Sequence, residues 1–157
     1  MNEVLQIILI TFLPFLELRA SIPWGILRGM HWLPVFLIAV ITNFLLAYIL
    51  YLLIDEIIRI ATQFRFVKRI WDSYVMKAQR KVHPYIEKYG EIGLAIFIGI
   101  PLPGSGVYTG AIAAYFLGLD RKKYLIASLI GVIIAGLIVT LAVTLGNGAF
   151  HLLFKQV

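Results

Sequence analysis

A chain of 157 residues that is 61% apolar, with a mean hydropathy of +0.93, exceeds the about 45–50% apolar content of soluble domains and points to an all-α integral membrane protein. It contains no cysteine, which excludes disulfides and thiolate metal sites. A net charge of +6 in so apolar a chain fits basic cytoplasmic loops beside anionic lipid and argues against a nucleic-acid partner.

The first apolar segment, VLQIILITFLPFLELRASIPWGIL, is interrupted by Pro14, Pro23 and Gly25 and charged at Glu17 and Arg19. Its first part, Glu3 to Leu13, makes about 17 Å of helix, half a hydrocarbon core. A half-length helix, a Pro/Gly break and a second apolar half predict a re-entrant hairpin over 3–31, entering and leaving on one side. A pair of full spans kinked at proline is the alternative. No basic residue precedes Arg19, so a cleaved leader is not expected. Pro34–Ile54 is uninterrupted and predicts a first transmembrane helix, in which Asn43 is expected to hydrogen-bond between helices.

Residues 55–91 form a predicted cytoplasmic linker. Apolar residues recur at helical spacing from Ile57 to Tyr89, Trp71 and Tyr74 among them, and basic residues take much of the remainder. That is the pattern of an amphipathic helix lying on the membrane surface. A second re-entrant hairpin is predicted over 92–118, broken by PLPGSG at 101–106. Tyr124–Leu145 predicts the second transmembrane helix, where Gly131 and Gly136 let helices approach closely, and a short tail follows.

Both halves, 1–54 and 92–157, therefore read as broken hairpin, short polar turn and uninterrupted span. A hairpin makes no net crossing and a span makes one, so the second half is predicted to run inverted. Inverted repeats with paired broken segments point to a secondary transporter. The linker carries Arg59, Arg65, Lys68, Arg69, Lys77, Arg80, Lys81 and Lys88, and this topology puts Arg121, Lys122 and Lys123 on the same side. Most of the basic residues thus share one face, which the positive-inside rule makes cytoplasmic, leaving both termini external to the cytoplasmic membrane.

Charges beside a break at membrane depth mark a functional site by default. Arg19 offers a planar fork to an anionic group, and Glu17 is the residue able to carry a proton. The structural alternative is an ion pair that holds the hairpin tip. At the second break, Pro23 and Gly25 of the first hairpin find counterparts in Pro101, Pro103, Gly104, Ser105, Gly106, Tyr108, Thr109 and Gly110. The half-helix that follows directs free N–H groups at its surroundings, which favours an anion. GxG here lacks a preceding strand and a following GK[ST], so a nucleotide loop is excluded. His31, His83 and His151 are scattered, and no Ser/His/Asp set assembles at one depth. No enzyme, cofactor or metal is expected.

ELRASIPWGI, followed by YGEIGLAIFIGIPLPGSGVYTGAIAAYFLGLDRKKYLIASLIGVIIAG, resembles the small multidrug export protein family. That family is itself similar to the DedA/VTT membrane proteins. The family resemblance implies export of small molecules, and the expected substrate is small and lipophilic or anionic and amphipathic. The DedA likeness implies proton-linked movement of lipids or lipid-linked phosphates. In this resemblance the acidic-plus-arginine pair falls on Glu17 and Arg19, and the second loop on Pro101 to Gly110. The chain departs from the DedA pattern in having no arginine between Lys88 and Arg121. The expected partners are membrane lipids, substrate, protons and further copies of the chain, since one copy supplies only two full spans. A non-transporting membrane scaffold is the reading of a different class.

Overall fold

A computed structural model describes residues 2–14, 16–61, 63, 90–102 and 105–154. Six helices are described: α1 Glu3–Phe12, α2 Glu17–Leu27, α3 Trp32–Ala61, α4 Gly90–Gly99, α5 Val107–Leu117 and α6 Arg121–Phe154. No strand occurs among the described residues. Of the predicted amphipathic linker 55–91, residues 55–61 belong to α3 and 90–91 to α4, while 62 and 64–89, together with Pro103, Gly104 and the last three residues, lie outside the described residues.

The breaks follow from local chemistry. Asn2 caps α1 by accepting from the Val4 N–H at 3.2 Å. The helix stops at Leu13, whose backbone is extended (φ −74°, ψ 128°), as a residue preceding proline prefers. The sequence reading placed the first break across 14–25, and the structure corrects it. The described non-helical residues there are 13, 14 and 16, and Pro23 and Gly25 both lie inside α2. Pro23 leaves the Arg19 carbonyl without its usual helical donor, yet the helix continues because tertiary packing overrides a single lost bond. Gly25 serves packing instead, since a Cβ there would stand 2.9 Å from Val35 and 3.2 Å from Ile7. The residue that ends α2 is Gly29, left-handed at φ 85°.

α2 and α5 are built alike. Each has 11 residues. Each closes with a left-handed glycine, Gly29 or Gly118, and a Schellman bond across it. The Met30 N–H donates to Gly25 O at 3.2 Å, and the Leu119 N–H to Ala114 O at 3.0 Å. Long helices follow both turns. α3 has 30 residues and α6 has 34, each longer than the about 20 residues a bilayer core requires. Each runs past its predicted span, because polar flanks continue a helix already nucleated by its apolar centre.

α3 and α6 pack antiparallel. At one end Gly136 admits Phe36 and Val40 of α3. At the other the Tyr124 hydroxyl donates to the Ala47 carbonyl at 3.2 Å, and the Tyr51 and Tyr124 rings stack at 5.4 Å. α1 and α2 form a hairpin against α3, with the Thr11 hydroxyl donating to Ser21 Oγ at 2.7 Å in the core. α4 lies along α6, where Ile98 fills the space left by Gly131, and α5 packs on both long helices. Large apolar side chains such as Leu37, Ile41, Leu45, Ile130, Leu137 and Leu141 face outward from the two long helices. In water such a surface would aggregate, and in lipid it is ordinary.

A methyl group tests this packing directly. A Cβ at Gly131 would stand 2.7 Å from Ile98 and 2.9 Å from the Ala95 carbonyl, whereas at Gly93 it would meet nothing within 4 Å. Gly131→Ala should destabilise the protein by about 1–3 kcal/mol. Gly93→Ala should shift stability by no more than about 1 kcal/mol, in the stabilising direction. Thermal unfolding of both variants in the same detergent measures the difference.

Candidate functional site

The two helix breaks meet at one ion pair. Glu17 opens α2 with φ at 46°, a left-handed backbone unusual outside glycine. Residues two apart on a regular helix point away from each other. The left-handed turn at Glu17 removes that restriction, and Arg19 Nη1 donates to Glu17 Oε2 at 2.9 Å. Glu17 is only 2% exposed. Burial of both charges requires that their remaining hydrogen-bonding capacity be met.

The second break meets most of it. α4 ends before Pro101 and leaves carbonyls without intrahelical donors. Arg19 Nη2 donates to Ile98 O at 3.1 Å, to Ile100 O at 3.3 Å and to the Ser105 carbonyl, with Ser105 Oγ at 3.3 Å. The Ser105 hydroxyl in turn donates to Leu102 O at 2.9 Å and accepts from the Leu102 N–H at 3.2 Å, holding the loop in shape. A cation at a helix C-terminus is also favoured by the helix dipole.

Glu17 does the converse at the start of α5. It accepts from the Val107 N–H at 3.3 Å and the Tyr108 N–H at 3.4 Å, two of the orphan donors of that helix. Asn43, 1% exposed on α3, adds Nδ2 at 3.4 Å. The carboxylate is so close that a Cβ on Gly106 would fall 2.2 Å from its oxygens. Thr109 completes the cap by accepting from the Gly106 N–H at 3.0 Å. A further link joins the breaks, as the Tyr108 hydroxyl donates to the Phe12 carbonyl at 2.6 Å, at the end of α1.

Among the residues singled out in the sequence, Glu17, Arg19, Ser105, Gly106, Tyr108 and Thr109 come together here. Asn43 joins them as a donor to the carboxylate, so its interhelical bond is with α2. Others do not. Gly110 sits within α5 against Ile98, Gly25 and Gly136 lie at helix packing contacts, and Pro23 lies within α2. The carbonyls of Ile98 and Ile100 had no residue-type signal. The one hint was the helix end that Pro101 imposes. The anion expected at the α5 N-terminus is the chain's own Glu17 carboxylate, and both terminal nitrogens of Arg19 are occupied within the chain.

Beside the pair lies a cavity of about 220 Å³, lined by Pro14, Glu17, Arg19, Gly106, Tyr108, Thr109 and Ile112. The family described as "Putative small multi-drug export protein" matches residues 17–138, from Glu17 through the second break and about half of α6. The chain belongs to this export family. No curated protein and no solved structure matches it. Membership, together with two helices long and apolar enough to cross a bilayer, makes it a membrane protein of an export class, which is not a class of enzyme.

The site's geometry ranks two substitutions. Gly106→Ala drives a methyl group into the Glu17 carboxylate and should cost about 3–5 kcal/mol, the range for breaking a buried pair. Tyr108→Phe removes one hydroxyl bond to a partly exposed carbonyl and should cost about 0.5–1.5 kcal/mol. Thermal unfolding gives the order, and a Gly106→Ala variant as stable as Tyr108→Phe would mean that the carboxylate is not held at α5.

Proposed function

We propose that the chain is a proton-coupled exporter of small amphipathic molecules in the cytoplasmic membrane, working as a homodimer or larger assembly. The observation that carries this reading is the Glu17–Arg19 pair. Each charge completes an interrupted helix end, and both border a cavity with apolar walls. A scaffold has little use for ions at that depth, since desolvating each costs several kcal/mol.

In this reading each helix pair, α1–α2 and α4–α5, is a re-entrant hairpin, and the halves are inverted repeats. The matched lengths and glycine caps of α2 and α5 support it, as does the antiparallel packing of the helices that follow them. Arg59 near the end of α3 and Arg121, Lys122 and Lys123 at the start of α6 then share one face, which the positive-inside rule makes cytoplasmic. Both termini are external. The fixed site between two half-helix breaks suits alternating access, in which one repeat rocks against the other.

Coupling follows from the carboxylate. Ionised Glu17 binds Arg19 and the α5 N–H groups, and these contacts hold the breaks together. Protonated Glu17 loses its charge-assisted bonds to both. Asn43 Oδ1, buried with no donor, offers the protonated carboxyl an acceptor after an amide rotation. A proton therefore loosens the junction at which the substrate cavity lies. Substrate and proton binding are linked through that junction, and the linkage is reciprocal.

Two measurements test the reading. In liposomes with a lipophilic dye as cargo, Glu17→Gln should abolish the dependence of flux on the proton gradient. Unchanged gradient dependence would assign the pair a structural role only. For topology, single cysteines at Asn2, Lys77 and Gln156 are labelled with an impermeant maleimide on intact cells, against a background free of native thiols. Positions 2 and 156 should react and 77 should not, and the reverse pattern would invert the orientation.

A further inference from the structure

The groups around Arg19 select a particular kind of ligand. Four acceptors from α4 and its loop converge on one terminal nitrogen: the carbonyls of Ile98, Ile100 and Ser105, and Ser105 Oγ. The Glu17 carboxylate faces the other terminal nitrogen at 2.9 Å. Every one of these groups except the hydroxyl is purely an acceptor, so together they form a socket for a cation with N–H donors on two sides. An anion has no place in it. The donors that suit an anion, the Val107 and Tyr108 N–H groups, are held by Glu17, and a second negative charge there would be repelled by the first.

Shape narrows the choice further. A guanidinium or amidinium is flat and spreads its N–H groups across one plane, so it reaches the carboxylate and the carbonyl cluster at once. An ammonium concentrates three donors at a point and cannot span both. Arg19 is also an imperfect occupant. Its Nε is buried with no acceptor, because the side chain that tethers the head group fixes where that N–H points. A free ligand is not so tethered. Its substituent has a path into the cavity between Pro14, Tyr108 and Ile112.

Resting on the export reading, we infer that the exported molecules are amphipathic organic cations with a planar guanidinium or amidinium head, and that Arg19 is a built-in competitor for their seat. Exchange of Arg19 for such a head leaves the charge beside Glu17 unchanged. The binding step then breaks no net ion pair. The displaced side chain can swing into the cavity it already borders.

The socket is tested without transport. The full chain carrying Arg19→Ala is purified in detergent, and its thermal unfolding is followed with methylguanidinium, methylammonium and sodium chlorides at matched ionic strength, and with sodium acetate. Methylguanidinium should stabilise the variant saturably, at concentrations roughly tenfold lower than methylammonium, the ratio expected from one or two added donor contacts. Wild-type protein, whose socket is filled, should need more methylguanidinium for the same shift. Equal stabilisation by all the salts, a larger effect of acetate, or no response in a helical, monodisperse variant would overturn the inference. If Arg19→Ala does not fold, Arg19→Lys takes its place, since it keeps a charge and leaves the plane of acceptors incompletely met. Wild-type liposomes are then given octylguanidinium, octylammonium or octanoate. Preferred flux of octylguanidinium supports the inference, and preferred flux of octanoate overturns it. Methylguanidinium binding with no flux of any cargo would leave the socket standing and remove the export reading. Flux of neutral dye with no guanidinium response would do the opposite.

Discussion

The structure depends on one buried ion pair that stands in for two missing stretches of helix. α4 stops with carbonyls unpaired and α5 starts with N–H groups unpaired, and in lipid neither set has water to turn to. Arg19 supplies the donors for one set and Glu17 the acceptors for the other. Because the two residues pair with each other as well, α2 is tied to both sides of the second break at a single point. Asn43 connects the same point to α3. The strain at Glu17, a left-handed residue with a side chain, is the local consequence of serving all these contacts at once.

Around that junction the packing is made close by missing side chains. Gly25, Gly110, Gly131 and Gly136 each sit where a methyl group would enter a neighbour. In a bilayer the solvent is as apolar as the core, so helices gain by van der Waals contact and not by expulsion from water. Close approach is what increases that contact. Asymmetry between the halves is also meaningful. Both hairpins have glycine packing, but only the first contributes charge, and only the second contributes the open backbone that receives it.

These features bear on how such a protein moves. Among the described residues, the polar contacts that join the two breaks are concentrated at one place: the ion pair with its backbone partners, and the Tyr108 hydroxyl on Phe12 O. The apolar packing within each half is extensive and spread along whole helices. The halves also share apolar faces, α6 against α2 and α3 and α5 against α3, so a motion that parts the breaks must slide along those faces while it disturbs the polar junction. Removing the Glu17 charge acts on that junction directly.

Sequence alone determined the class of the protein, its two long apolar helices, the existence of two helix breaks and the position of Glu17 and Arg19 beside one of them. Each of these follows from a local property: apolar length against bilayer thickness, proline and glycine against helix continuity, charge against depth. Other features were decided only by the tertiary structure. Pro23 and Gly25 looked like a break and are helical, because packing against α1 and α3 outweighs one lost backbone bond. Gly29, two residues beyond the helix, carries the turn. Arg19 finds its acceptors 79, 81 and 86 residues away, mostly on backbone carbonyls that have the same chemistry in every residue type. No pattern of side chains could announce them. The anion site at the start of α5 was legible as a set of free N–H groups, but its occupant was not, since only the fold brings the Glu17 carboxylate within 3.4 Å of them.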